Sequence, residues 1–173
     1  MAPPTKEVTD HLKSLYATYR KTADIDAKGL FYAPDIIQIC GPLPSYWATD
    51  APTIVRYVRE ALGGQSDGGD VNVKGEMDGC TIRPLTEDEF FFESDEVTAP
   101  TGFTAAQLKQ RAEAEGWVGM RVDLWVDADK EGMLVKVKYW WKKQGEGWVQ
   151  ALHDITYMGP RDGTEGTDGE ILP

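Results

Sequence analysis

Hydrophobic positions recur along this chain with two different periods, and the change of period divides it into a helical first part and a sheet-forming last part. From about Lys6 to Arg20, the residues Val8, Leu12, Leu15, Tyr16 and Tyr19 are spaced by three and four, which is the apolar stripe of an amphipathic helix. A second short helical turn is expected over 25–31. Residues 35–40, "DIIQIC", have the length and character of a strand, and "GPLP" at 41–44 ends it because proline offers no N–H to a ladder. Another helix begins at Thr49 or Asp50, either a good N-cap, with Pro52 in its first turn. It turns Ile54, Val55, Val58, Ala61 and Leu62 inward and stops at Gly63-Gly64. Residues 65–70 read as a loop, 71–93 as two short strands and 94–103 as a second loop. Thr104 with Gln107 forms a capping-box signature for a helix to about Glu115, which Gly116 ends.

Beyond Gly116 the period falls to two. Three strands near 117–127, 133–143 and 148–158 are separated by "ADKEG" and "QGEG", short glycine-bearing connections of the kind that join antiparallel neighbours. The stretch after Gly159 is rich in glycine and acidic residues and is expected to be mobile, leaving one domain over 1–159 and a flexible tail over 160–173. Helices followed by an antiparallel meander define an α+β fold, with helices on one face of a curved sheet whose concave side makes a pocket.

Inside the first of these strands, "RVDLW" puts Arg121 and Asp123 on one side and Met120, Val122, Leu124 and Val126 on the other. A three-residue loop at 130–132 sets Asp123 opposite Tyr139, and a two-residue turn at Gly145-Glu146 sets Val137 opposite Asp154. Arg121, Asp123, Val135, Val137, Tyr139, Trp141, Leu152 and Asp154 then line one face. With one strand between them, Asp123 and Asp154 are roughly 10 Å apart at the backbone, so their carboxyl groups can converge. A one-residue change in either turn instead places Val122, Leu124, Val149, Ala151 and Ile155 in the core and sends the aspartates to water. Lys136, Lys138 and Lys142 favour the first arrangement on the middle strand. The apolar back face of the outer strands would then be a homodimer interface.

Charge narrows the choice of partner. A net charge of -11 and a pI near 4.6 argue against nucleic acid and acidic membrane surfaces, which require clustered Lys and Arg. Two cysteines, Cys40 and Cys80, without a secretory signal read as reduced thiols of a cytoplasmic protein, and no apolar run approaches the ~20 residues of a membrane span. His11 and His153 are the only histidines, and no HExxH, paired CxxC or phosphate-cradling loop is present. No metal and no cofactor is therefore expected. His153 reads as a structural or interface residue in one register and as a catalytic one in the other. Cys40 reads as an inert buried thiol. Tyr46, Trp47, Tyr139 and Trp141 are expected to line a pocket. The 104–115 helix is either a lid or a solvated insert.

The order helix, "YAPDIIQICGPLPSYW", helix and late meander resembles the SnoaL-like branch of the NTF2-like superfamily, whose α+β cone encloses an apolar cavity. Within that branch, Arg121-Val122-Asp123 followed by Asp154, together with "PLP", is similar to limonene-1,2-epoxide hydrolase. The resemblance implies Asp154 as general base on water, Asp123 as the acid on the opening oxygen and Arg121 as the cation between them. Gln38 and Cys40 stand where that family has a water-holding Tyr and Asn, and a thiol holds water poorly. The expectation is a cofactor-free enzyme that opens an epoxide, by hydrolysis or cyclisation, on a small apolar polyketide- or terpenoid-like metabolite. Isomerisation, dehydration or cyclisation by the same pair, and a non-catalytic module that binds a ligand or dimerises, stand beside it.

Overall fold

The computed structural model describes residues 3–41, 46–63, 79–126 and 133–173. Helix α1 (Lys6–Lys21) starts where Thr5 accepts a hydrogen bond from the Val8 N–H at 3.2 Å, with Glu7 in its first turn and Arg20 and Lys21 in its last, each sign at the end of the macrodipole it favours. Its buried residues include Leu12, Tyr16 and Tyr19, the stripe seen in the sequence. Helix α2 (Ile25–Gly29) is capped by Asp24 and is shorter than the 25–31 expectation. Strand β1 (Tyr32–Cys40) follows, and then α3 (Ala51–Gly63), where Asp50 accepts from the Thr53 N–H at 2.9 Å. The prolines at 42 and 44, expected to end β1, lie outside the described residues.

Strand β2 (Gly79–Pro84) is the described part of the 71–93 stretch; the expected strand from 71 falls largely outside the described residues. No second strand follows, because Pro84 stops the ladder and Thr86 and Glu89 close a capping box on a 3-10 turn at Glu87–Glu89. Helices α4 (Asp95–Thr98) and α5 (Ala105–Glu115) come next, α5 with the Thr104–Gln107 capping box formed and Gly116 in the left-handed region at φ 67°. Strands β3 (Val118–Trp125), β4 (Met133–Gln144), β5 (Gly147–Pro160) and β6 (Glu170–Ile171) complete the chain.

The sheet order is β1-β5-β4-β3-β2-β6. It is mixed rather than wholly antiparallel, because β1 runs parallel to β5. Two apolar layers flank it. One, beneath α1 and α3, contains Leu12, Tyr16, Ile54, Met120, Val122 and Trp141. The other contains Ile37, Ile39, Phe92, Leu108, Trp117 and Trp140. Helices therefore cover both faces, not one, since α5 buries Leu108 and Ala112 in the second layer. The proposed dimer face is corrected in the same way: Val122 and Val149 are buried in the first layer, with Leu124 and Ile155 packed against it.

The stretch after Gly159 is not a loose tail. β6 pairs antiparallel with β2, Thr81 with Ile171 and Ile82 with Glu170, and the Leu172 N–H donates to the Cys80 carbonyl at 2.9 Å. Gly169, at φ 113°, allows this approach, since a Cβ there would lie 2.7 Å from the Ile82 carbonyl oxygen. Among the described residues no helix is long and apolar enough to cross a membrane.

Strand register decides which residues meet. Gln144 pairs with Gly147 around Gly145 at φ 63°, as the two-residue turn requires. A bulge then shifts the ladder: Trp141 pairs with Gln150 but Trp140 with Leu152, so Asp154 faces Lys138 rather than Val137. On the other side Asp123 pairs with Lys136 rather than Tyr139, and the loop expected at 130–132 lies outside the described residues. Both corrections are odd numbers of residues. Each flips Asp123 or Asp154 relative to β4, so the two aspartates remain on one face while their β4 neighbours become Lys136 and Lys138.

Candidate active site

Arg121, Lys138 and Asp154 form a row across β3, β4 and β5, and Asp123, Lys136 and Thr156 form the next row on the same face. A pocket of about 230 Å³ opens over the first row, lined by Phe91, Glu93, Arg121, Lys136, Val137, Lys138, Asp154, Thr156 and Met158. It is a charged pocket with Phe91 and Met158 at its exposed rim, on the sheet face away from α1 and α3. Asp123 is not part of its lining. Its side chain is fully shielded, held by Arg121 Nε at 3.2 Å and by Lys136 Nζ at 3.9 Å. Its Oδ2 is buried with no hydrogen-bond partner.

The electrostatics separate the two aspartates. Burial pushes the Asp154 carboxyl well above the usual carboxylate range, and a hydrogen bond with the Glu93 carboxyl pushes it further. Both effects favour the protonated form of Asp154. Burial raises Asp123 as well, but Lys136 and Arg121 oppose the shift. Lys138, 8% exposed, is drawn below the usual lysine range by burial, with Asp154 as the main opposing influence. Its ammonium donates to the carbonyls of Glu89 at 3.1 Å and Phe91 at 3.3 Å and lies 3.4 Å from the centre of the Phe91 ring. Such an arrangement can deliver a proton from Asp154, accept one at Glu93 and stabilise a developing oxyanion with Arg121 and Lys138.

The remaining expected residues lie on the opposite face. Gln38 pairs with His153 and Cys40 with Ile155, whereas Ile39 pairs with Asp154, so the sheet separates Gln38 and Cys40 from Asp154. Gln38 is fully engaged: its Nε2 donates to the Tyr46 carbonyl at 2.9 Å, and its Oε1 lies 2.9 Å from His153 Nδ1. That fixes the proton of the imidazole on Nδ1. Nε2 of His153 lies 2.5 Å from Oε1 of Gln150, whose amide nitrogen is buried without a partner. Turning the Gln150 amide over supplies an N–H to Nε2 and satisfies a neutral ring. Tyr139 and Tyr32 meet the His153 ring edge-on at 4.9 and 5.6 Å. Tyr139 and Trp141 are therefore wall residues of the first core rather than neighbours of the aspartates. Cys40 is a buried thiol. Tyr46 is exposed and stacks edge-on with Tyr57, whose hydroxyl donates to the Trp47 carbonyl.

Glu93, Lys138 and Glu89 were absent from the sequence expectation. Glu93 sits in the acidic run "EDEFFFESDE" with nothing to distinguish it, and Lys138 carried the period-two signal of a solvent-facing strand residue. Among the described residues no group of three His, Cys, Asp or Glu side chains is placed to hold a metal ion.

Helices packed on a curved, unclosed mixed sheet, with acid, base and cationic side chains opening into a small pocket, define an α+β cone of the NTF2-like type. The SnoaL-like domain profile matches residues 1–173, and the chain belongs to that family. No curated protein sequence matches it. Solved structures of the same fold include an NTF2-like protein of unknown function from Pseudomonas putida, with 10% identity and a TM-score of 0.53 over 97% of this chain and 96% of that one. A candidate ketosteroid isomerase from Parabacteroides distasonis has 11% identity and a TM-score of 0.53 over 91% and 92%. The beta subunit of a benzoate 1,2-dioxygenase from Burkholderia mallei has 10% identity and a TM-score of 0.50 over 91% and 93%.

Proposed function

We propose that this chain is a cofactor-free acid/base enzyme acting on a small oxygenated metabolite at the Asp154 pocket. The observation that carries the reading is that the Asp154 and Glu93 carboxyl groups line one small pocket with Lys138, which pairs with Asp154 across the sheet. Asp154, protonated because its charged form is desolvated, gives its proton to the oxygen of an epoxide or carbonyl as negative charge builds there. Glu93 takes a proton from the substrate. Arg121 and Lys138 stabilise the oxygen during transfer, and Asp123 orients Arg121 from beneath. These roles differ from those that the limonene-epoxide-hydrolase resemblance implies, where Asp154 is the base and Asp123 the acid: here Asp154 is the acid, Glu93 the base, and Asp123 only positions Arg121.

The position of Gln38 and Cys40 across the sheet supports one choice among reactions. Neither can hold water against Asp154, which favours a proton source within the substrate over hydrolysis. Ring-opening cyclisation, with a substrate hydroxyl as nucleophile, or isomerisation through a stabilised enolate therefore ranks ahead of diol formation. Incubation with apolar hydroxy-epoxides and enolisable ketones in water enriched in heavy oxygen tests this. Unlabelled cyclised or isomerised product from wild type, lost in Asp154→Asn, is the expected result. Labelled diol refutes the preference for an internal nucleophile, and turnover undiminished in Asp154→Asn refutes the site.

A further inference from the structure

Five charged side chains run in contact from the C-terminal segment to the pocket. Asp168, two residues before β6, accepts from Arg83 Nε at 2.5 Å. Arg83 grips Glu89 with both ends of its guanidinium, at 2.7 and 2.9 Å, and donates to the Pro84 carbonyl at 2.9 Å. Glu89 Oε2 accepts in turn from Arg121 Nη1 at 3.1 Å, and Arg121 Nε reaches Asp123 at 3.2 Å. Exposure falls along the series: the Asp168 side chain is 38% exposed, Arg121 18% and Asp123 0%.

Arg121 is thus held from two sides, by Asp123 beneath it and by Glu89 beside it, and these two contacts set where its guanidinium stands in the pocket. Glu89 is itself held by Arg83, which draws its carboxyl down to about 2, so it stays ionised. Among the described residues Arg83 forms ion pairs with Glu89 and with Asp168, which lies on its far side. The rest of the segment is fastened independently, by the β2–β6 ladder and by Lys13 on Glu170 at 3.0 Å. Asp168 is the one residue of the segment in this ionic series.

We propose that Asp168 is a positioning residue of the pocket: it fixes Arg83, through Arg83 it fixes Glu89, and through Glu89 the orientation of Arg121 toward Asp154. The consequence for turnover rests on the acid/base reading above; the consequence for Arg121 does not.

The experiment follows the guanidino Nε–H signals of Arg83 and Arg121 by NMR in the full chain. Wild type, Asp168→Asn, Asp168→Glu and Lys13→Met are compared, the last loosening the same segment elsewhere. Asp168→Asn is expected to move the Arg121 signal and to speed its hydrogen exchange by about fivefold, the size of one partly buried ion pair. Asp168→Glu restores both, and Lys13→Met leaves Arg121 unchanged. An Arg121 signal that stays in place in Asp168→Asn while Arg83 moves overturns the proposal, as does an equal shift in Lys13→Met, which would make the effect one of general loosening. Where wild type turns over a substrate, kcat/KM in Asp168→Asn falls by a similar factor. A wild type without turnover on the panel speaks against the acid/base reading and leaves the NMR comparison to decide this one.

Discussion

His153 makes the protein sensitive to mild acid in a way that can be calculated. The imidazole is 3% exposed, wedged between Tyr32 and Tyr139, and burial pulls its pKa down to about 3. In the unfolded chain the same group titrates near 6.5. Between the two values the unfolded chain carries a proton that the native chain does not, so stability rises with pH through this window and is lost on acidification. At about 1.36 kcal/mol per pH unit, lowering the pH from 7 to 4.5 removes about 2.5 kcal/mol through this one residue. Urea unfolding of wild type and His153→Gln at both pH values tests it. The variant starts lower at pH 7, by about 1–3 kcal/mol for the contacts to Gln38 and Gln150 that it disturbs. It should then lose about 2.5 kcal/mol less than wild type on acidification, so the two converge or cross. Glu89, whose stabilising contribution fades as the pH falls toward about 2, is common to both proteins and cancels in the difference. Parallel losses in the two proteins would show that the His153 ring is charged or hydrated in the native state, and the reasoning would fail.

Three further substitutions test separate parts of the structure. Lys138→Met removes a cation that opposes the upward shift of Asp154, so the protonated form of Asp154 persists to higher pH, and the basic limb of a pH–rate profile moves upward. Asp123→Asn leaves Arg121 and Lys136 without their shared anion; because Asp123 does not line the pocket, kcat falls by about tenfold or less, well short of the ~10²–10⁴ expected for loss of the proton donor in Asp154→Asn. Gly119→Ala puts a Cβ 2.4 Å from Leu85 Cδ1 and 3.0 Å from Trp140, and the resulting overpacking should cost about 1–3 kcal/mol in a thermal or urea melt while leaving the pocket chemistry intact.

Much of the architecture was legible from local signals that tertiary structure does not override. The α1 stripe, the Thr104–Gln107 cap, the Asp50 cap and the Gly145 turn are each written within a few residues, and each is present. The parallel β1–β5 pairing and the docking of 168–172 on β2 were not legible, because both join residues far apart in sequence and leave no periodic trace. An acidic, glycine-rich composition suggested a loose end, yet Arg83 supplies the charge that Asp168 needs and Gly169 the close approach.

The site itself lay between these cases, and strand parity explains why. Arg121 and Asp123 share a face by alternation along β3, and Asp154 joins them because its register against β4 and theirs both differ from expectation by an odd number of residues, so that the two changes cancel. Which side of the sheet that is depends on β4, and one bulge at Trp140–Trp141 together with the register set beyond 127–132 turned Lys136 and Lys138 toward the aspartates in place of Val137 and Tyr139. A cluster assumed to face an apolar cavity thereby acquired two ammonium groups and a partner carboxyl at Glu93. Its chemistry changes with its neighbours: burial and the neighbouring Glu93 carboxyl push Asp154 toward its protonated form, the state in which a carboxyl group can donate rather than accept a proton.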